Sequence, residues 1–169
     1  MKITPGIYRS VSTVALPLAS LYLMWRSRRQ PAYRAYWDER FAWGTYPLRT
    51  ERPRVWIHAV SVGETNAAKP LLEAMLKSWS ECDVVLTHMT PTGREAGKRL
   101  VRLAPERIRQ CYLPYDAPYA VEKFVRQVRP TLGVIMETEV WPNLMHEMTA
   151  HGIPVVLANA RESEKSRAQ

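Results

Sequence analysis

The fold is decided by the stretch Arg54–Thr65, which reads Arg-Val-Trp-Ile-His-Ala-Val-Ser-Val-Gly-Glu-Thr. It begins as an apolar run rich in β-branched residues, which is typical of a parallel strand buried on both faces, here Val55–Val60. The run ends at Gly63, where the backbone can turn tightly. An amphipathic helix is predicted from about Thr65 to Trp79. Glu64 is therefore expected in a strand-to-helix turn.

The position of Glu64 has two interpretations. Open parallel sheets bind ligands outside the carboxyl ends of their strands. A carboxylate in that crevice is a candidate general base. Alternatively, Glu64 is a helix-start residue that only complements the helix dipole. The position by itself leaves both open.

Strands and helices alternate through the rest of the chain. Further strands are predicted at Asp83–His88, Ile108–Leu113, Leu132–Met136 and Pro154–Ala158. Helices are predicted near Arg94–Leu103, Pro118–Val128 and Trp141–His151. This alternation predicts an α/β fold with a parallel sheet and right-handed crossovers.

Polar residues follow each strand and should emerge at one edge of the sheet. They are Ser61, Gly63 and Glu64, then Thr90, Thr92, Gly93 and Arg94, then Asp116, then Glu137 and Glu139, then Asn159 and Arg161. The turn from Thr90 to Arg94 opens a helix, and its free N–H groups, hydroxyls and guanidinium would suit a phosphate. A plain threonine helix cap is the alternative.

Glu137 and Glu139 are two residues apart at the end of a strand. In extended backbone they would point the same way. Such a pair can stabilise a developing cation, or it can be a structural hydrogen-bond acceptor.

The basic residues are concentrated in the N-terminal arm of this 169-residue chain of formal net charge +8. The length suffices for one domain with its own core. Residues 1–54 contain ten Lys and Arg against three acidic residues, whereas residues 55–169 contain fourteen against thirteen. An arm of this charge favours an anionic lipid surface as partner. Nucleic acid is disfavoured, because its binding more often spreads basic residues across the folded face.

Cysteine and histidine usage suggests no special chemistry. Cys82 and Cys111 are too few for a disulfide framework and are expected to be reduced thiols of a cytosolic domain. The four histidines are scattered without metal-ligand spacing, so no metal site is predicted.

The N-terminus is predicted to be a membrane anchor covering residues 1–29. Val11–Trp25 is apolar apart from a few small polar residues and one proline, and arginines follow it. The run is short for a span, which takes about 20 residues. It continues into a basic cluster rather than a cleavage site. We therefore expect an uncleaved anchor in the inner leaflet, with its arginines on the cytoplasmic side. The alternative is a soluble helix that packs on another domain.

A connector, residues 30–54, interleaves aromatic residues with arginines. This pattern suits a membrane interface, and it also suits stacking on nucleic acid. The neighbouring anchor favours the membrane. The connector leads into the predicted α/β domain, residues 55–169.

Five motifs, taken together and in order, resemble one known family. They are Ser61-Val62-Gly63-Glu64, Met89-Thr90-Pro91-Thr92-Gly93, Leu113-Pro114-Tyr115-Asp116, Met136-Glu137-Thr138-Glu139-Val140-Trp141-Pro142-Asn143 and Ala158-Asn159-Ala160-Arg161. The same motifs occur in the 3-deoxy-D-manno-octulosonic acid (Kdo) transferases of lipopolysaccharide assembly. The resemblance covers nearly the whole chain.

The resemblance implies a GT-B glycosyltransferase with two Rossmann-like domains. It implies transfer of Kdo from CMP-Kdo to a hydroxyl of lipid A precursor, with inversion and without a divalent metal or other cofactor. Glu64 matches the family's proposed base, and Glu137 matches a residue thought to stabilise the transition state. Seven other edge residues would bind the acceptor: Ser61, Gly63, Thr90, Thr92, Gly93, Arg94 and Glu139. The expected location is the cytoplasmic face of the bacterial inner membrane.

The family's members are considerably longer than this chain, which ends at Gln169. The chain is therefore expected to be the N-terminal acceptor-binding part, with most CMP-Kdo contacts in a domain it lacks, and to be inactive alone. The alternative is a basic, membrane-associated α/β module that binds nucleic acid or anionic lipid without catalysis. A dinucleotide site is disfavoured because no Gly-x-Gly-x-x-Gly follows the first strand.

Overall fold

The computed structural model describes residues 5–48, 50–137 and 141–160. Its centre is a sheet of five parallel strands in the order β3-β2-β1-β4-β5. The strands are β1 (Arg54–His58), β2 (Asp83–His88), β3 (Ile108–Tyr112), β4 (Leu132–Met136) and β5 (Val155–Ala158). The predicted parallel α/β architecture is confirmed.

The helices alternate with the strands as predicted. Before the sheet lie α1 (Pro5–Val14), α2 (Leu16–Ser27), a 3₁₀ turn (Pro31–Arg34) and α3 (Trp37–Arg40). Within the α/β part lie α4 (Val62–Ser78), α5 (Pro91–Val101), α6 (Pro118–Val128) and α7 (Pro142–Ala150). Both α4 and α5 begin three residues earlier than predicted, because Ser61 and Thr90 cap them.

The sheet has an apolar layer on each face. Trp56 of β1 lies on one face with Phe124 of α6, and Ile57 lies on the other with Leu72 of α4. All four are fully buried. Burying such a side chain contributes about 1.5–3 kcal/mol. The continuous apolar strands are therefore explained by helices that cover both faces.

Cys82 and Cys111 are free and buried.

Three aromatic rings of the connector pack on this domain, whereas Tyr36 and Trp43 are exposed, so the membrane-facing role of the connector stays a prediction. Tyr46 lies in the main core, where its ring meets Phe124 edge-on. Tyr33 and Phe41 are buried with Leu23 of α2. These three rings are buried inside the protein, because the arm folds back over the domain.

The two N-terminal helices expose an apolar surface. No single helix in the described residues is long and apolar enough to cross a bilayer, but α1 and α2 pass that test together, with a bend of 42° between them. Their exposed apolar side chains are Ile7, Val11, Val14, Leu18, Leu21, Met24 and Trp25, called here the apolar arm face. Membrane binding by this face stays a prediction.

Candidate active site at the carboxyl edge of the sheet

The strand order places a crevice at the carboxyl edge between β1 and β4. From β1 the chain builds outward through β2 to β3, and it then returns to the other side for β4 and β5. Parallel sheets bind ligands at such a topological switch point. Glu64 follows β1 and Glu137 follows β4, so the two candidate catalytic carboxylates lie in the segments that flank this crevice.

Glu64 is held by the first turn of α4. Its Oε2 accepts a hydrogen bond from the Val60 N–H at 2.8 Å, and its Oε1 accepts one from the Ser61 hydroxyl at 2.8 Å. The Glu64 N–H in turn donates to Ser61 Oγ at 3.4 Å. This is a variant of the capping box in which the Glu64 carboxylate accepts from the N–H before the cap residue, a more specific role than the general dipole interaction considered from the sequence. It leaves Glu64 only 7% exposed and fixes the direction of its carboxylate.

Packing requires glycine at position 93 but not at position 63. Gly63 lies inside the first turn of α4 at negative φ, and an added Cβ there would come no nearer than 3.8 Å to another group. The predicted tight turn at Gly63 is therefore wrong. A Cβ on Gly93 would lie 2.7 Å from the Val60 carbonyl oxygen, so only glycine lets α5 approach the β1–α4 turn this closely.

The Thr90 turn is joined to the Glu64 turn through the backbone of one residue, Val60. The Val60 carbonyl accepts hydrogen bonds from the Thr90 hydroxyl at 3.0 Å and the Thr90 N–H at 3.2 Å. Thr90 Oγ1 also accepts from the Gly93 N–H at 3.0 Å, as a helix cap does. Thr92 is exposed at the same helix start. The structure thus brings these residues together with Glu64, and the cap interpretation is satisfied whether or not a phosphate binds.

Arg94 does not extend toward the crevice with free donors. Its two terminal nitrogens form a bidentate ion pair with Glu39 of α3, with Nη2 to Oε1 at 3.1 Å. The guanidinium also lies over the ring of Tyr36, 3.8 Å from its centroid. Arg94 therefore has a structural partner that the sequence did not suggest, because Glu39 lies far away in the connector. Its predicted phosphate contact stays a prediction.

Glu137 has a strained backbone. Its φ is +61°, in the left-handed region that a non-glycine residue adopts at a cost of about 1–3 kcal/mol. Its N–H donates to the Ala158 carbonyl at 2.8 Å, which places it beside the end of β5. Asn159, also left-handed, follows there. Strain of this kind occurs preferentially at functional sites, which supports the choice of Glu137. Glu139 and Arg161 lie outside the described residues.

Asp116 caps α7 from another element. Its Oδ2 accepts from the Asn143 N–H at 3.0 Å, and its Oδ1 accepts from the Leu144 N–H at 2.9 Å. Trp141, the cap residue of α7 itself, provides no side-chain bond. A carboxylate here satisfies two free N–H groups and complements the helix dipole.

The N-terminal arm joins the same cap. The Tyr8 hydroxyl donates to Asp116 Oδ2 at 2.9 Å, and the Asn143 side-chain amide donates to the Ser12 hydroxyl at 3.0 Å. Burial, followed by the bond to Asp116, raises the pKa of Tyr8 to about 12, so its hydroxyl stays a donor at neutral pH. No local pattern indicated these contacts, because α1 reads only as part of an apolar arm.

Two histidines lie beneath the edge and are held neutral. His58 Nδ1 lies 2.9 Å from Thr87 Oγ1, and His88 Nδ1 lies 2.9 Å from the Ala59 carbonyl. Burial lowers the pKa of His58 to about 3 and that of His88 to about 4. In the described residues, no group of three His, Cys, Asp or Glu side chains is arranged to hold a metal.

Comparison with known proteins identifies the family. Residues 35–169 match the family described as 3-deoxy-D-manno-octulosonic-acid transferase (kdotransferase). A 3-deoxy-D-manno-octulosonic acid transferase of Bordetella pertussis is 43% identical over 95% of this chain and 39% of its own length. Its counterpart in Haemophilus influenzae is 35% identical over 94% of this chain and 36% of its own length. A probable mitochondrial counterpart in Arabidopsis thaliana is 33% identical over 95% and 35%.

The chain thus spans less than two fifths of the length of these relatives. The match includes every strand and helix that builds the carboxyl edge. On these grounds the chain belongs to the Kdo transferase family and corresponds to its N-terminal region.

Proposed function

We propose that this chain is the acceptor-binding part of an inverting glycosyltransferase that moves Kdo from CMP-Kdo to a lipid A precursor. The observation that carries the proposal is the pair of carboxylates, Glu64 and Glu137, in the segments that flank the switch-point crevice of a Kdo transferase fold. Most contacts to CMP-Kdo would come from a domain outside this chain, so both parts together would form the complete site.

In this mechanism Glu64 acts as the general base. It would take the proton of the acceptor hydroxyl while the hydroxyl oxygen attacks the anomeric carbon of Kdo. The bond from that carbon to the phosphate oxygen breaks on the opposite side, and CMP leaves with the bonding electrons. The bonds from Val60 N–H and Ser61 Oγ support this role because they hold the carboxylate in one orientation before substrate binds.

Glu137 would stabilise the positive charge that develops at the anomeric centre. A negative charge placed in advance at such a point lowers the barrier without reorganisation. The left-handed backbone at Glu137 supports a functional reason for this residue, because no turn glycine or asparagine is used there. Ser61, Gly63, Thr90, Thr92 and Gly93 would contact the sugar and phosphate groups of the acceptor around these carboxylates.

We also propose that the apolar arm face lies in the cytoplasmic leaflet of the inner membrane. Seven apolar side chains there are about half exposed or more. Arg26, Arg28 and Arg29 adjoin the face at the end of α2, where cations meet anionic headgroups. An anchor of this kind would bring a membrane-bound acceptor to the carboxyl edge. No role in binding nucleic acid is proposed.

The test is Glu64→Gln in the full-length protein, with CMP-Kdo and a lipid acceptor. Glutamine keeps the size, its oxygen can accept from the Val60 N–H and its amide can donate to Ser61 Oγ, so the helix start and the fold should persist, while the proton can no longer be taken. Loss of a positioned base typically costs on the order of 10²–10⁴ in rate. Glu73→Gln, on an exposed face of the same helix, is the matched control and should transfer normally. Near-normal turnover by Glu64→Gln would end the general-base assignment.

A further inference from the structure

Asp116 is an edge residue to which the proposed mechanism gives no role. It is 5% exposed, and its two carboxylate oxygens receive three hydrogen bonds, from Tyr8, Asn143 and Leu144. Pro142, the first residue of α7, has no N–H to satisfy, so this one carboxylate serves the free donors of both following residues.

The same carboxylate is the attachment point of α1. Tyr8 and Ser12 are one helical turn apart, so they share a face of α1. Tyr8 bonds to Asp116, and Ser12 accepts from Asn143 of α7. Ile7, Val11 and Val14 project elsewhere, into the apolar arm face. The polar side of α1 is therefore bonded to the start of α7, while its apolar side is free for a membrane.

The segment that carries Glu137 begins after β4 and ends at the start of α7. The near end of that segment is held by the bond from Glu137 N–H to the Ala158 carbonyl. Asp116 fixes the far end through Asn143 and Leu144. Any shift of α1 relative to the sheet would thus pull on the helix that follows Glu137.

We propose that Tyr8, Ser12, Asp116 and Asn143 form a positioning unit that links the membrane-facing arm to the Glu137 segment. The inference rests on the proposed function. A lipid acceptor is presented at a height fixed by the membrane, so the arm must hold the catalytic segment at a matching height. Misplacement of reacting groups by about 1 Å can cost on the order of 100-fold in rate. These are positioning residues, since none of them touches the reacting atoms.

The test uses the full-length protein with acceptor embedded in anionic vesicles. Tyr8→Phe removes only the hydroxyl and leaves the α7 cap in place. We expect kcat to fall about three- to tenfold, the effect of losing one hydrogen bond of ordinary net strength. The KM for CMP-Kdo and binding to vesicles should not change. Ser12→Ala should act in the same direction, whereas Ser10→Ala, which loses only a bond within α1 to Gly6, should match the wild type.

A double variant separates positioning from general destabilisation. If Tyr8 acts through the Glu137 segment, Tyr8→Phe should add no further loss in a Glu137→Gln background. Equal fractional losses in both backgrounds, or full activity of Tyr8→Phe, would overturn the inference.

If the wild-type protein transfers no Kdo, the proposed function fails instead. Hydrogen exchange then decides the link alone: peptides from α7 should exchange faster in Tyr8→Phe, and unchanged exchange would overturn it.

Discussion

Arg94, in the first turn of α5, forms a bidentate ion pair with Glu39 of the short helix α3. Glu39 also accepts the Tyr112 N–H at 2.7 Å, which satisfies a donor on the free edge of β3. Both charged side chains are largely buried, at 11% and 14% exposure. This one pair binds the connector to the sheet and covers an edge that would otherwise be open to pairing.

Arg94→Ala is expected to destabilise the fold. It leaves the Glu39 carboxylate without its cation, and breaking a buried pair costs about 3–5 kcal/mol, less here because the pair is not fully enclosed. Urea unfolding measures the change. Arg102→Ala, on an exposed residue just past the same helix, is the control and should change stability by less than about 0.5 kcal/mol.

The same variant tests the predicted phosphate contact of Arg94. A charge-assisted contact is roughly twice as strong as a neutral one, so bis-phosphorylated acceptor should lose more affinity than its dephosphorylated form. Equal losses of affinity for the two acceptors would mean that Arg94 forms the ion pair with Glu39 and does not contact phosphate.

Alanine substitutions at the two edge glycines should have opposite effects. Gly93→Ala places a Cβ 2.7 Å from a backbone carbonyl, and overpacking of this kind costs about 1–3 kcal/mol. Gly63→Ala meets nothing closer than 3.8 Å in a helical turn, where alanine is favoured over glycine by up to about 1 kcal/mol. Thermal unfolding of both variants checks this, and a lower Tm for Gly63→Ala would contradict the assigned geometry.

Acid should destabilise the protein through His58 and His88. Their folded pKa values are lowered to about 3 and about 4, whereas an unfolded histidine titrates near 6.5. Below pH 6.5 the unfolded state therefore binds protons that the folded state does not bind. The free energy of unfolding consequently decreases as pH falls toward the folded pKa values. Each histidine contributes about 2 kcal/mol of loss by pH 5.

The measurement is the free energy of unfolding between pH 7.5 and 4.5. His58→Asn should flatten its decline, whatever the variant does to stability at pH 7.5. His146→Asn, on an exposed residue, should leave the slope unchanged. A slope that His58→Asn does not alter would contradict the buried neutral state of this histidine.

Single charges on the apolar arm face should weaken membrane binding. Leu18→Glu and Leu21→Glu place carboxylates on the side of the arm assigned to the leaflet, where burying apolar area and attracting anionic lipid drive binding. Flotation with anionic vesicles should show a clear loss for either variant. Leu103→Glu, on an exposed leucine away from the arm, is the control. Unchanged flotation of both arm variants would contradict the membrane proposal.

The α/β class could be predicted from the residues alone, because continuous apolar strands alternating with amphipathic helices have few other solutions. It also predicted β2, β4 and α6 to the residue, since proline and polar residues mark their ends. The Ser61–Glu64 capping box is local, and its Ser-x-x-Glu spacing was present in the sequence. The motifs that identify the family are likewise readable without a fold.

Contacts between distant parts of the chain could not be predicted without the three-dimensional packing. The strand order places the Glu64 and Glu137 segments on either side of one crevice, and no local pattern encodes that order. Arg94 finds Glu39 in the connector, and Tyr8 finds Asp116 more than 100 positions away. A hydrogen bond or ion pair requires side chains within a few ångströms, and that distance depends on how whole elements pack. The sequence therefore predicted the candidate residues, while packing decided their partners.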